Sequence, residues 1–190
     1  MHNPFLIGER VYLRVLEETD ITDANIDWLN DPEVTRYLAM TGKYPATARS
    51  MENWLQKFRN STTNLWFAII DKATDRHIGN ITLDDINWIH RTADISLMIG
   101  DKGYWGSGYA TETQSLLIEY AFHRLGLHKI LNSPVADHIG SIKMATNLGF
   151  QVEGTLRKQL FIEGEYHDQL RMGLFAHEFK KFVFKERERK

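Results

Sequence analysis

Three glycines, Gly103, Gly106 and Gly108, fall within six residues between an alternating apolar run and a long amphipathic stretch. Glycine tolerates positive φ and lets a backbone approach a ligand closely. A strand must therefore end, turn and hand over to a helix in very little chain. Successive amides in such a loop can form a concave anion site, and the following helix N-terminus adds partial positive charge. The loop reads either as a cradle for a pyrophosphate or as a turn whose glycines serve geometry alone. It is not a Walker A loop, because no Gly-Lys-Ser/Thr follows. A dinucleotide fingerprint fits poorly, since Thr111 stands where a third Gly or Ala belongs.

The surrounding pattern places this loop in an α+β (mixed α/β) chain. Val11, Leu13 and Val15 alternate with Tyr12 and Arg14, as in a strand. Asp20, Asp23 and Asp31-Pro32 supply helix caps and a break, with Ile26, Trp28 and Leu29 between them. Met51, Trp54, Leu55 and Phe58 give a helical stripe over about 49–58. Leu65–Ile70, His77–Leu83 and Ala93–Ile99 predict three strands with short connections, hence an antiparallel meander. Tyr109 to Leu125 predicts a long helix stopped by Gly126, then a strand over Leu127–Val135 and a helix over Ile139–Leu148 closed by Gly149. Glu153–Ile162 and Glu165–Phe175 flank Glu163-Gly164 as a hairpin. From Glu178 the chain alternates Lys/Arg with Glu and Phe, which predicts a charged tail or solvated terminal helix over about 178–190.

Composition excludes several classes. With no cysteine among 190 residues, disulfides, zinc–thiolate sites and cysteine nucleophiles are ruled out. A formal net charge of −2 argues against general nucleic-acid binding, which needs a basic stripe. The longest apolar run, Leu65–Ile70, is far short of a membrane span, and the opening residues lack a signal-peptide pattern. One domain over 1–190 in a cytoplasmic protein is the expectation. His123 and His128 straddle the Gly126 stop, so they should share no face, and no metal site is expected.

A series of tags in order carries a family resemblance over nearly the whole chain. They are Gly8-Glu9-Arg10-Val11-Tyr12-Leu13-Arg14, Asn30-Asp31-Pro32-Glu33-Val34 and Ile78-Gly79-Asn80-Ile81. Tyr104-Trp105-Gly106-Ser107-Gly108-Tyr109-Ala110-Thr111-Glu112 and Leu148-Gly149-Phe150 follow. Glu153-Gly154-Thr155-Leu156-Arg157 and Gly164-Glu165-Tyr166-His167-Asp168 complete the set. The chain resembles the GNAT N-acetyltransferases, and within them the bacterial RimJ/RimL-type branch. The resemblance implies acetyl-CoA as co-substrate, its pyrophosphate held by Trp105, Gly106, Ser107, Gly108, Tyr109 and Ala110. Trp105 departs from the Arg or Gln usual in the family's loop. Of the family's Asn-x-x-Ser contact, Ser141 matches while His138 replaces the Asn. The strand ahead of the loop, at Leu97, Met98 and Ile99, is implied to pair with the pantetheine arm, one amide polarising the thioester carbonyl.

The implied reaction is direct attack by an amine in a ternary complex. The alkylammonium must first lose a proton, so a nearby base is required. Asp94 is the first candidate base. The position where some members carry a Tyr general acid is Ala145, leaving that role to Ser141, Tyr109 or water. Asp84, Asp85 and His90 form a second polar group, read either as an amine anchor or as an Asx-stabilised turn. Tyr166 and Asp168 read as structural. The acceptor is a small-molecule or peptide primary amine: a protein N-terminus, an amino sugar, a polyamine or an antibiotic. The resemblance implies a homodimer. The competing readings are an acyl-CoA-sensing binding module and, less well supported, a nucleotide-dependent oxidoreductase.

Overall fold

The computed structural model describes residues 1–38 and 42–184. A single sheet of eight strands runs in the order β1-β2-β3-β4-β5-β6-β8-β7. Its strands are β1 (Leu6–Ile7), β2 (Val11–Val15), β3 (Leu65–Asp71), β4 (His77–Asn87), β5 (Thr92–Ile99), β6 (Lys129–Asn132), β7 (Gln151–Ile162) and β8 (Glu165–Phe175). The helices are α1 (Asp23–Asn30), α2 (Pro32–Thr35), α3 (Ala48–Arg59), α4 (Tyr109–His123) and α5 (Ile139–Leu148). Every neighbouring pair is antiparallel except β5 and β6. A parallel pair needs a long crossover, and α4 supplies it.

Both sheet faces are covered. On one, Val11, Leu13, Ile69, Ile81, Leu83, Ala93 and Ile95 pack with Leu117, Ile118 and Ala121 of α4. On the other, Tyr12, Leu16, Ala68 and Ile70 pack with Leu55 of α3. The alternation expected of β2 is thus present, yet Tyr12 and Arg14 are buried as well as Val11 and Leu13. Arg14 can be buried because its guanidinium donates two 2.6 Å hydrogen bonds to the Asp20 carboxylate.

The meander β3-β4-β5 and the helices α1, α3, α4 and α5 match the expected elements within a few residues. β1 leaves no mark in the sequence pattern, because two residues carry no periodicity. β4 runs past Leu83 to Asn87 across a bulge, with Asp85 at φ 51°. The strand expected over Leu127–Val135 is only Lys129–Asn132, followed by Pro134 and an isolated bridge from Val135 to Gln169. Proline has no amide to continue a ladder. Glu163 and Gly164 both take positive φ, the two-residue turn that the twist of a hairpin favours.

The stretch from Glu178 differs most from expectation. Residues 179–184 are not helical, and Phe179, Phe182 and Phe184 are half-buried while the residues between them stay exposed. The Lys180 amide donates to the Leu148 carbonyl of α5, and the Phe182 amide to Ser115 of α4. Phe179 and Phe182 pack against the core and Lys181 pairs with Glu119, so the phenylalanines set the path and one charge holds it. The remainder of that stretch lies outside the described residues. Among the described residues, no helix is long and apolar enough to cross a membrane.

α1 is tied to the sheet through His77. Its Nε2 donates to the Gly79 carbonyl at 2.8 Å, while Nδ1 accepts from the Asn25 amide at 2.8 Å. Burial holds this imidazole below the usual histidine range, although the Asp20 carboxylate 3.7 Å away pulls it up. As pH falls, the unfolded chain therefore takes the proton first, from about pH 6.5 downward. His77 contributes fully above that pH and its contribution is lost below it. Unfolding free energy from urea titration is expected to decline from pH 7.5 to 5.5, and more gently in His77→Gln. His138, also depressed by burial, leaves a residual slope in that variant. An identical slope in both proteins would contradict the role given to His77.

Candidate active site

The β5–β6 ladder has three register pairs and ends at Asp94↔Leu131. β5 nevertheless continues to Ile99. Beyond Asp94, one edge of β5 therefore faces a gap rather than a strand. The Gly100 amide donates to the Ile78 carbonyl of β4 at 2.9 Å. Backbone groups along a strand alternate in direction, so Ser96 and Met98 present their amides to β4. Leu97 and Ile99 present theirs to the gap, whereas Ile95, on the same side, still faces Leu131 at the end of the ladder. Of the three residues expected to offer backbone there, Leu97 and Ile99 do so. Met98 does not, because its main chain faces β4.

α4 and α5 both start beyond the carboxyl ends of this parallel pair, so their N-termini flank the gap. The glycine loop turns into α4 with Gly106 at φ 68° and Gly108 at φ 85°. Gly108 is the N-cap, and no side chain caps that terminus. The first-turn amides of α4 consequently lack intrahelical acceptors. A side chain at Gly106 would meet nothing within 4 Å, whereas one at Gly108 would point at Arg10 and Phe182. Trp105, the departure from the family's loop, plays a structural part. Its indole N–H donates to the Ile99 carbonyl at 2.8 Å, which ties the loop to the end of β5.

The opposite sheet face from α4 carries a polar strip. Asp84 stands directly across from Asp94, with Thr82 opposite Ser96 and Asn80 opposite Met98. Two carboxylates at such positions repel. Burial pushes Asp84 above the usual carboxylate range, and the charges of Asp85 and Asp94 add to this against a hydrogen bond from Thr82. Burial also raises Asp94, opposed by the Arg171 guanidinium and by Ser133. Arg171 of β8 donates to the Ser133 hydroxyl at 2.9 Å. Neither residue stands out in the sequence; they join the strip only because β8 lies next to β6, and no local pattern signals that.

The sequence candidates divide accordingly. Asp84, Asp85 and Asp94 come together, but within strand and bulge rather than on a turn. His90 does not join them: it is exposed at the β4–β5 hairpin tip, where Asn87 holds its amide. The Tyr109 hydroxyl donates to Asp71 at 3.3 Å. Ser141 lies in the first turn of α5. His138, the N-cap of α5, makes no capping bond; its ring stacks on Tyr37 at 4.3 Å, joining α5 to the segment after α2. Tyr166 and Asp168 behave as structure: Tyr166 packs on Phe161, and Asp168 accepts from the Lys158 amide at a bulge. Among the described residues, no cluster of three or more His or acidic side chains could hold a metal.

The acetyltransferase (GNAT) domain model matches residues 10–151. The chain belongs to the GNAT acetyltransferases. The N-acetyltransferase p20 of Bacillus licheniformis is 32% identical over 175 residues, covering 92% of this chain and 97% of the relative. The spermidine N-acetyltransferase of Vibrio cholerae, solved with CoA and spermine, superposes with a TM-score of 0.81 at 26% identity, over 89% of this chain and 97% of that one. RimJ of Mycobacterium smegmatis, solved with CoA-disulfide, shares the fold with a TM-score of 0.79 at 22% identity, over 88% and 83%. This GNAT enzyme is an N-acetyltransferase whose co-substrate is acetyl-CoA and whose acceptor is an amine. The sensing-module reading is not favoured.

The carboxylate pair makes a direct prediction. Replacing Asp94 by Asn removes a like charge, so the Asp84 carboxyl in this GNAT enzyme should titrate at lower pH than in wild type. Carbon-13 NMR of labelled aspartate reads this. An unmoved Asp84 titration would mean that the two groups do not interact.

Proposed function

We propose that this enzyme acetylates a compact polycationic primary amine of the polyamine class, with Asp94 as the proton acceptor. The observation that supports this best is the cross-strand pair Asp84↔Asp94, with Asp85 beside it, where β5 leaves β6. An acidic strip attracts ammonium groups, and a carboxylate raised by burial is a better proton acceptor than an ordinary one. Spermine in the Vibrio cholerae relative's structure points the same way. In this reading Leu97 or Ile99 offers the amide that polarises the thioester carbonyl. Main-chain amides at Gly106, Ser107, Gly108, Tyr109 and Ala110, fixed by the Trp105 bond, hold the diphosphate. Ser141, with His138 at the α5 N-terminus, stands as the further CoA contact, and Ser141 or water returns a proton to the thiolate. His90 has no part in it.

The proposal includes one N-acetyltransferase domain spanning the chain, a cytoplasmic location and a homodimer. The β7–β8 ribbon supports the dimer, since it extends beyond β6 with Phe161 and Tyr166 exposed.

Two measurements test the reading. Asp94→Asn is expected to lower turnover of spermidine about a hundredfold at neutral pH, the gap narrowing at alkaline pH as the free amine becomes abundant. An equal loss at every pH removes Asp94 as the base, and faster turnover of a peptide or amino sugar removes the polyamine assignment. Gly106→Asp places a carboxylate in open space at the cradle, and Asp tolerates positive φ better than most residues. The KM for acetyl-CoA should rise at least about tenfold, the cost of roughly 1.4 kcal/mol of binding, while the melting temperature changes little. Unchanged acetyl-CoA affinity would refute the cradle.

A further inference from the structure

We infer that Arg10 is a positioning residue for the diphosphate cradle, and that the C-terminal strap through Phe184 completes its socket. The inference rests on the cradle reading above. Glu112, in the first turn of α4, is only 6% exposed. Its Oε1 accepts from the Arg10 amide at 2.7 Å and the Val11 amide at 3.3 Å, and its Oε2 accepts from Arg10 Nε at 2.9 Å. The other end of the same guanidinium, Nη1, donates to the Ser107 carbonyl at 2.9 Å. One side chain therefore bolts the glycine loop and the start of α4 to β2.

The Ser107 carbonyl is in one rigid plane with the Gly108 N–H. In a trans peptide these two groups point in opposite directions. Drawing the carbonyl toward Arg10 turns the Gly108 amide away from it, outward from the packed side. Glu112 balances the guanidinium charge, so the clamp supplies orientation more than field. The remaining nitrogen, Nη2, is buried without a hydrogen-bond partner. It lies 3.3 Å from where a Cβ at Gly108 would stand, which independently favours glycine there.

Aromatic rings complete the socket. The Arg10 guanidinium carbon lies 4.3 Å from the Tyr109 ring centre and 3.9 Å from that of Phe184. Phe184 is delivered by the strap, which is fixed by the Phe182 amide to Ser115 and by Lys181 to Glu119 at 2.8 Å. Arg10 and Glu112 are far apart in the chain, and Phe184 is farther still, yet all three meet at one loop.

Arg10→Met, Arg10→Lys, Glu112→Gln and Phe184→Ala, assayed with acetyl-CoA and with S-acetylpantetheine, which lacks the diphosphate, test this. Loss of a charged hydrogen bond that positions the loop is expected to raise the KM for acetyl-CoA about tenfold in Arg10→Met. The KM for S-acetylpantetheine and for the amine should hold, and kcat at saturation should stay close to wild type. Lysine should not rescue, because a single ammonium cannot span Ser107 and Glu112 as a guanidinium does. Glu112→Gln keeps the acceptor for both amides and should show a weaker effect of the same sign, as should Phe184→Ala. If Arg10→Met fails to fold, those two variants carry the test. Equal damage to both donors, a fall in kcat alone, or full rescue by lysine overturns the proposal. A wild type with no preference for acetyl-CoA over S-acetylpantetheine would instead sink the cradle itself.

Discussion

The parting of β5 from β6 organises everything else in this molecule. A parallel pair joined by α4 stays together for three register pairs and then opens at Asp94. Past that point β5 keeps its shape because β4 holds its other edge, from Thr82↔Ser96 to Gly79↔Ile99. An unpaired strand edge exposes a row of unsatisfied amides and carbonyls. In this enzyme the row is short and flanked by two helix N-termini, and its final carbonyl is already taken by Trp105. An extended acyl-bearing arm can satisfy the rest by adding itself as a strand.

The two sheet faces beside that opening are built on different terms. Toward α4 the contacts are aliphatic and Ile81, Leu83, Leu117 and Ile118 are fully buried. Toward α1 charges have been drawn inward, and they differ in how well they are satisfied. Arg14 and Asp20 form a two-pronged pair, and hydrogen bonds hold Asp20 below the usual carboxylate range against the cost of burial. His77 avoids the problem by staying neutral between Asn25 and Gly79. Among the described residues no cation is held against Asp84 or Asp94 at bonding distance, and burial holds both above the usual carboxylate range. The first two arrangements fix α1 and β2 in place; the carboxylate pair is left able to exchange protons.

Much of this arrangement is legible locally. Alternation in Ala93–Ile99 marks both the strand and the shared face of Asp94, Ser96 and Met98. Gly106 and Gly108 mark the turn, and Gly149, at φ 106°, the end of α5. Contacts between segments distant in the chain are not legible in this way. Backbone direction separates Met98 from its neighbours, and only the pairing with β4 sets it. His90 looks close to Asp84 in sequence because the bulge that carries β4 on to Asn87 has no signature in residue type. The tail looks solvated because its charges are conspicuous, while its phenylalanines find partners only once α4 and α5 are side by side.

By itself, the sequence determined the elements, the glycine turn between β5 and α4, and the chemistry available at each position. These follow from periodicity, allowed dihedrals and side-chain type, all of which act over a few residues. The tertiary structure alone decided where β6 leaves β5, which amides remain free, and that Arg171 faces Asp94 while Arg10 reaches Ser107. Those outcomes depend on strand order and register, which are fixed by burying both faces of the sheet at once. No stretch of chain shorter than the whole fold carries that information.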